Sequence, residues 1–489
     1  MSEPAPGGGK RIGLVLGAAV SIIMLLSAPP GGLGEVAWRT AAAGSLMAIW
    51  WMTEALPISA TALIPLVVFP LLGIASMSET AAPFANETIF LFMGGFILAA
   101  AMESCGLHKR LAFGIIALVG TRPANLVGGF MIATAAISMW VSNTATVVMV
   151  LPMAQSVIAA IEEGNSDTSA HYNFSIALLL GIAYAASIGG LGTLIGTPPT
   201  ALLAAFMSES YGFHIGFMQW MLVGMPVVII GIPMAWLLLT RILHPVGRTT
   251  HEQDAEVRHA FQRVAATLGP MSRTEITVAC ITMATALAWV TRPLLEAVVP
   301  AISDAGIAMT GALLMFLVPT NWRRGEFPLR WQEADRIPWA ILVLFGGGLS
   351  LAAAVQTSGL AEGIGDAMAW FGSWPLPLLV FMVTFIVILL TELTSNTATA
   401  ATFLPIAASV SVGLGHPALL LAAPAAMAAG LAFMLPVGTP PNALVFATGR
   451  LTIPMMARAG ILLNVLFAFL IQLITFFIAL RVFGLEVSG

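Results

Sequence analysis

Charge is scarce in this sequence. Asp, Glu, Lys and Arg make up 9% of its 489 residues and hydrophobic residues 58%, whereas a soluble domain carries roughly 25% charged residues because its surface faces water. A water-exposed globule is excluded; most of this surface faces something apolar. Cysteine is nearly absent too. Cys105 and Cys280 stand alone in apolar segments, which excludes a disulfide framework and a thiolate metal site. An intramembrane enzyme would need paired aspartates, a His-Glu-x-x-His or a Ser/His arrangement at membrane depth. None occurs, so enzymatic activity is not expected. Finally, no Lys or Arg lies between Arg122 and Arg241 or between Arg336 and Arg450. Any anion carried by those stretches has no basic side chain there to neutralise it.

What is present is a succession of apolar runs. Crossing about 30 Å of hydrocarbon takes about 20 residues, and such runs recur from 12–29 to 455–484. Lys10 and Arg11 precede the run Ile12–Ala28, which Pro29, Pro30, Gly31 and Gly32 close; it reads as a first membrane helix, not a cleaved leader. The runs at 88–118, 126–161, 174–209, 339–372, 374–411 and 416–448 are too long and too interrupted by Gly and Pro to be straight. Breaks at membrane depth are tolerated where the open backbone is buried or lines a cavity. Two hydrophilic connections stand out: 244–274 with Arg248, Arg258, Arg263 and Arg273, and 320–337 with Arg323, Arg324, Arg330 and Arg336. Arginine-rich loops stay in the cytoplasm, so both connections and the N-terminus are expected inside.

An internal repeat decides the architecture. Gly94–Leu107 (GGFILAAAMESCGL) and Gly347–Leu360 (GGLSLAAAVQTSGL) lie 253 positions apart, and so do Ser142-Asn143-Thr144 and Ser395-Asn396-Thr397. Gly196-Thr197-Pro198-Pro199 and Gly438-Thr439-Pro440-Pro441 recur at an offset of 242. Repeated halves of this kind characterise secondary transporters, whose substrate sites lie where the repeats meet. The positive-inside assignment puts the two hairpins on opposite sides, making the repeats inverted.

Ser and Asn inside apolar segments bond readily to nearby backbone. One such triplet is explained by helix packing; two at matched repeat positions point to paired helix breaks. Each break presents a helix N-terminus, whose N–H groups and positive dipole end attract an anion. Unwound carbonyls and side-chain oxygens hold a cation such as sodium. Ser138 and Thr391, four residues before each triplet, add a hydroxyl one turn away. The paired prolines are expected to stop helices and free the carbonyls upstream; a structural kink is their simpler explanation. A dianion in low dielectric without countercharge is very costly, so the missing arginines imply bound cations and sodium coupling. Of the apolar-segment acids Glu54, Glu103 and Glu392, Glu392 lies nearest a triplet and suits a proton carrier or a buried hydrogen-bond network; the other two read as structural. His171, His214 and His416 read as loop or interface residues without a role.

With these motifs, and with Trp51–Pro57 (WMTEALP) and Leu435–Asn442 (LPVGTPPN), nearly the whole chain resembles the divalent anion/sodium symporter family, whose bacterial members include INDY-type dicarboxylate transporters. The resemblance implies a homodimer that moves substrate by an elevator-like shift of a transport domain against a scaffold. It implies that Ser142, Asn143, Thr144, Ser395, Asn396 and Thr397 contact the substrate carboxylates, with Thr439 and Pro440 beside them. One sodium site would involve Ser138, Ser142, Asn143 and Gly192, the other Thr391, Ser395, Asn396 and Gly438. Thr200, where the second motif has Asn442, departs from symmetry. Gly438 departs instead from the family's pattern, in which relatives can carry Ala; a backbone carbonyl would serve there, so little effect is expected.

The resulting expectation is an all-α polytopic membrane protein with about 11 transmembrane helices and two re-entrant hairpins. Scaffold helices at 1–84 and 210–338 and a C-terminal helix at 451–489 would surround transport halves at 85–209 and 339–450. The function expected is import of C4-dicarboxylates such as succinate, fumarate and malate with two or more sodium ions. It would take place in a bacterial inner membrane, with no nucleic-acid partner. Sodium-independent exchange, or citrate or sulfate as cargo, remain open on the same fold.

Overall fold

Gly106 and Gly359 have φ of +78° and +82°, in the left-handed region open to glycine without steric cost. Each turns one apolar helix back onto the next. The first hairpin consists of Glu87–Cys105 and Leu107–Ala117, the second of Trp339–Thr357 and Leu360–Ala367. The computed structural model describes residues 8–162, 168–247, 266–368 and 373–486, with positions 255, 258, 259 and 262 between. Arg248, Arg263 and the side chain of His171 lie outside the described residues.

After each hairpin the chain enters a helix that stops and restarts: Pro123–Ser138 then Asn143–Glu162, and Leu376–Thr391 then Asn396–Gly413. A second break follows in each half, from Thr168–Gly190 to Pro198–Tyr211 and from Leu419–Ala429 to Pro440–Phe446. Beyond each second break comes a long apolar helix, Phe217–Leu237 or Ile453–Ile474, that runs into a π-helical turn, Leu238–Leu243 or Thr475–Ala479. The repeat thus extends past the three motif pairs and beyond 85–209 and 339–450.

Among the described residues all regular elements are helices, apart from one isolated bridge between Asn321 and Glu326. Seven helices are long and apolar enough to cross a membrane, and Ile58–Leu72, Pro123–Ser138, Asp304–Leu317, Leu376–Thr391 and Leu419–Ala429 are shorter apolar helices. The chain is a multi-pass membrane protein.

The hairpins dock through glycine. A Cβ built on Gly94 would stand 2.7 Å from Ala308 of Asp304–Leu317, and one on Gly347 would strike the carbonyl oxygen of Ala62 in Ile58–Ala62. Gly94 and Gly347 are repeat mates, so each hairpin lies on its neighbour by the same residue. Close backbone approach through small residues is how helices associate in lipid.

Two expectations are corrected. The paired prolines do not stop helices; Pro198 and Pro440 begin them. At the first helical positions a proline forfeits no hydrogen bond and its fixed φ is already helical. Glu54 does not sit in the apolar interior. It follows Glu35–Thr53 in a left-handed conformation (φ +46°), half exposed, with its carboxylate 3.7 Å from Lys10 Nζ.

Candidate functional site

Both Ser-Asn-Thr triplets fall where a helix restarts. Asn143 and Asn396 are first helical residues, and Ser395 precedes Asn396 in an extended conformation (φ −62°, ψ 132°). Ser142 Oγ accepts the N–H of Ala145 at 3.3 Å, as Thr439 Oγ1 accepts that of Asn442. The prolines add two more helix starts behind Thr197 and Thr439, both extended. The first residues of all four helices line one cavity of about 1630 Å³: Ser142, Asn143 and Thr144; Thr197 and Pro198; Ser395, Asn396 and Thr397; Gly438, Thr439 and Pro440. A helix start presents the positive end of the dipole; at the two asparagine starts it also has N–H groups without intrahelical partners, whereas the first two residues of the Pro198 and Pro440 starts are prolines with no N–H to offer. Four facing one space make an anion site without a basic side chain. Lys109 and Arg336 also line the cavity, the first from the hairpin helix Leu107–Ala117 and the second from the basic connection 320–337, not from the four helix starts.

Behind each triplet lies a cluster of oxygens. Ser138 Oγ is 2.5 Å from Asn143 Oδ1 and 2.8 Å from the carbonyl of Ala186. Thr391 Oγ1 is 2.8 Å from Asn396 Oδ1 and 2.9 Å from the carbonyl of Ala429. A hydroxyl has one proton to donate and here faces two acceptors, so each cluster is one donor short. Both hydroxyl residues are fully buried. Oxygen sets with an acceptor left over suit a cation of sodium's kind, held as in other transporters by unwound carbonyls and side-chain oxygens. Gly192 and Gly438 lie in the non-helical stretches before Pro198 and Pro440. Gly192 packs on Met139, while Gly438 packs on Ala432 and the Glu392 carboxylate.

The halves differ at that carboxylate. Glu392 is 3% exposed. Its Oε1 accepts the N–H groups of Phe433 at 2.7 Å and Met434 at 2.9 Å and the amide of Asn464 at 2.8 Å; its Oε2 accepts Met434 at 3.0 Å and Leu435 at 3.2 Å. Glu392 thereby ties down the unwound stretch before Gly438, the hydrogen-bond network expected of it. Its repeat mate is Met139, where Thr193 Oγ1 instead bonds the Met139 carbonyl at 2.5 Å. The Thr200–Asn442 asymmetry hides a common task. Thr200 Oγ1 donates to the carbonyl of Thr197 at 2.9 Å, with that of Leu194 at 3.3 Å, and Asn442 Nδ2 donates to those of Ala432 and Leu435 at 3.0 Å each. Each clips its own loop.

The structure therefore brings together the residues singled out for substrate and, of those for sodium, Ser138, Ser142, Asn143, Thr391, Ser395, Asn396 and Gly438; the glycine beside Asn143 Oδ1 is Gly190, on which a Cβ would stand 3.0 Å away, while Gly192 lies against Met139. Ser142, Asn143, Thr144, Ser395, Asn396, Thr397, Gly438, Thr439 and Pro440 line the cavity, while Ser138, Thr391 and Gly192 lie behind it. Glu103 also lines the cavity. His214 bonds Ser208 at 2.9 Å, and His416 stands in the turn after Asn396–Gly413. Sequence reading missed the carbonyls of Ala186 and Ala429, which carry no side-chain signal. It also missed Asn464, an amide inside the apolar run Ile453–Ile474 that could have been noticed.

The solved structures most like this one include the YdaH transporter of Alcanivorax borkumensis (TM-score 0.56, 14% identity, 95% of this chain and 96% of that one). MtrF of Neisseria gonorrhoeae, whose structure is described as illuminating a class of antimetabolite efflux pumps, matches similarly (TM-score 0.57, 12% identity, 100% and 97%). These share the fold. Among curated proteins, the sodium-dependent dicarboxylate transporter SdcS of Staphylococcus saprophyticus is 40% identical over 490 residues, covering 98% of this chain and 93% of the relative. The protein of the same name in Staphylococcus aureus strain USA300 is 39% identical over 494 residues, with the same coverage. Residues 10–482 match the family described as sodium:sulfate symporter transmembrane region, and the chain belongs to that family of transporters, the divalent anion/sodium symporters.

Proposed function

We propose that the protein imports C4-dicarboxylates such as succinate, fumarate and malate with sodium. The observation that carries this reading is the pair of donor-short oxygen clusters at Ser138–Asn143 and Thr391–Asn396, set behind four helix starts that bring no Lys or Arg to the cavity. The two asparagine helix starts bind carboxylate oxygens through N–H groups and the triplet side chains, and the two proline starts add their positive dipole ends. Two or more sodium ions in the clusters offset the dianion, so neither is favoured without the other. That mutual dependence is coupling. The name of the curated relatives supports both cargo and ion.

In this reading the halves 85–209 and 339–450 form the moving unit, and 1–84, 210–338 and 451–489 the frame, in a homodimer working by an elevator shift. Glycine docking of both hairpins on frame helices supports that division. The positive-inside rule supports a cytoplasmic N-terminus and cytoplasmic basic connections in a bacterial inner membrane.

The test is uptake of radiolabelled succinate by purified protein in liposomes, with an inward sodium gradient and with potassium replacing sodium. Uptake with sodium alone supports symport. Uptake without sodium but needing internal dicarboxylate makes the protein an exchanger, and uptake of citrate or sulfate alone changes the cargo.

A further inference from the structure

Leu393 and Val437 are 71% and 78% exposed, yet both line the cavity of the candidate site. Leu393 immediately precedes Thr394-Ser395-Asn396, and Val437 immediately precedes Gly438-Thr439. Apolar exposure toward lipid is ordinary; these two apolar side chains are instead exposed in the cavity, next in sequence to the helix starts that line it.

The repeat makes the exposure specific. The first-half mates of these residues, at the offsets of the motifs beside them, are Trp140 and Ile195. Trp140 packs on Phe217 with ring centroids 6.2 Å apart. Ile195 is 8% exposed and lies against Gly95, where an added Cβ would approach its side chain to 3.0 Å. Of these mates Ile195 is buried at the cavity wall and Trp140 half-buried, whereas Leu393 and Val437 are bare. The cavity also has space to spare. At about 1630 Å³ it exceeds the roughly 300–1,000 Å³ of pockets that enclose drug-sized ligands, so a four-carbon di-acid leaves much of it open.

We infer that Leu393 and Val437 form an apolar subsite beside the carboxylate site, which takes an alkyl or aryl substituent on the carbon chain of a di-acid. The inference rests on the reading of this cavity as a dicarboxylate site. Its contiguity with Thr394–Asn396 and Gly438–Thr439 sets the ligand chemistry: two carboxylates held by the helix starts, and one apolar branch laid on the two side chains. Unsubstituted succinate has no branch and leaves the subsite empty.

The experiment is competition against radiolabelled succinate uptake in liposomes by 2-methyl-, 2-ethyl-, 2-propyl- and 2-benzylsuccinate. Wild type is compared with Leu393→Ser and Val437→Ser. In wild type, inhibition should tighten about three-fold per added methylene, the scale expected for apolar burial. In either variant the gain should flatten while half-saturation by succinate stays at the wild-type value. Both side chains are exposed, so packing is little disturbed; Leu393→Ala and Val437→Ala replace any serine variant that melts early. A wild-type series without gain, or a gain that survives both substitutions, overturns the subsite alone while succinate uptake persists. Absence of any dicarboxylate uptake or inhibition overturns the subsite together with the reading beneath it.

Discussion

Ser138 and Asn143, five residues apart across a helix break, share one hydroxyl proton at 2.5 Å with the carbonyl of Ala186 as competitor, and Thr391 repeats the relation to Asn396. The arrangement predicts that these hydroxyls act on sodium more than on substrate. Ser138→Ala and Thr391→Val each remove one oxygen from a cluster and should raise the sodium concentration for half-maximal uptake about ten-fold, the equivalent of one contact worth about 1.4 kcal/mol. Succinate half-saturation at saturating sodium should move much less. Sodium titrations of uptake decide it; unchanged sodium dependence in both variants would remove these hydroxyls from the ion sites.

Asn143 and Asn396 do more, because each opens a helix, lines the cavity and supplies the oxygen that meets the hydroxyl. Asn143→Ala and Asn396→Ala are each expected to abolish uptake while the protein stays folded and monodisperse. Thermal melting beside uptake separates loss of function from loss of fold. Near-normal uptake in both would refute the assignment of the triplets.

Glu392→Ala should fail in a different way. The change strands the N–H groups of Phe433, Met434 and Leu435 and the amide of Asn464. A buried donor left without its acceptor costs about 1–3 kcal/mol. Melting temperature and uptake should therefore fall together, unlike the asparagine variants, in which uptake falls alone. A variant that melts like wild type would show that the loop before Gly438 does not depend on this carboxylate.

How much of this was legible beforehand follows from where each feature is encoded. The hairpins, the breaks at 139–142 and 392–395 and the two-half order were readable because Gly, Pro, Ser and Asn are conspicuous in apolar sequence and recur at fixed offsets. The role of the prolines was misread, since Pro-Pro serves as either a stop or a start and only the chain upstream decides which. Glu54 was misplaced because a residue just past a helix end looks, in sequence, like one inside it. The acceptors of Ala186 and Ala429 were unreadable, for any residue supplies a carbonyl and only the fold chooses which one turns inward. The equivalence of Thr200 and Asn442 was hidden for a related reason: side chains of different length reach different carbonyls of the same loop.

The docking of the hairpins gives a prediction with an internal control. A Cβ on Gly347 would strike the carbonyl oxygen of Ala62 and stand 2.7 Å from its Cα, both backbone atoms that cannot step aside, whereas one on Gly348 would meet only Leu202 Cδ1 at 3.6 Å and Ala401 Cβ at 3.8 Å. Gly347→Ala should therefore push the second hairpin off Ile58–Ala62, at a cost of about 1–3 kcal/mol for an overpacked contact, with a lower melting temperature. Gly348→Ala should melt like wild type or slightly above it, because alanine favours the helix by up to about 1 kcal/mol. Gly94→Ala should reproduce the Gly347 result in the first half, since its Cβ would meet the backbone of Ala308 at 2.7 Å. Equal melting of Gly347→Ala and Gly348→Ala would mean that the hairpin is not seated on the backbone of Ile58–Ala62. It would also remove the physical basis for treating hairpin and frame helix as two bodies in close contact.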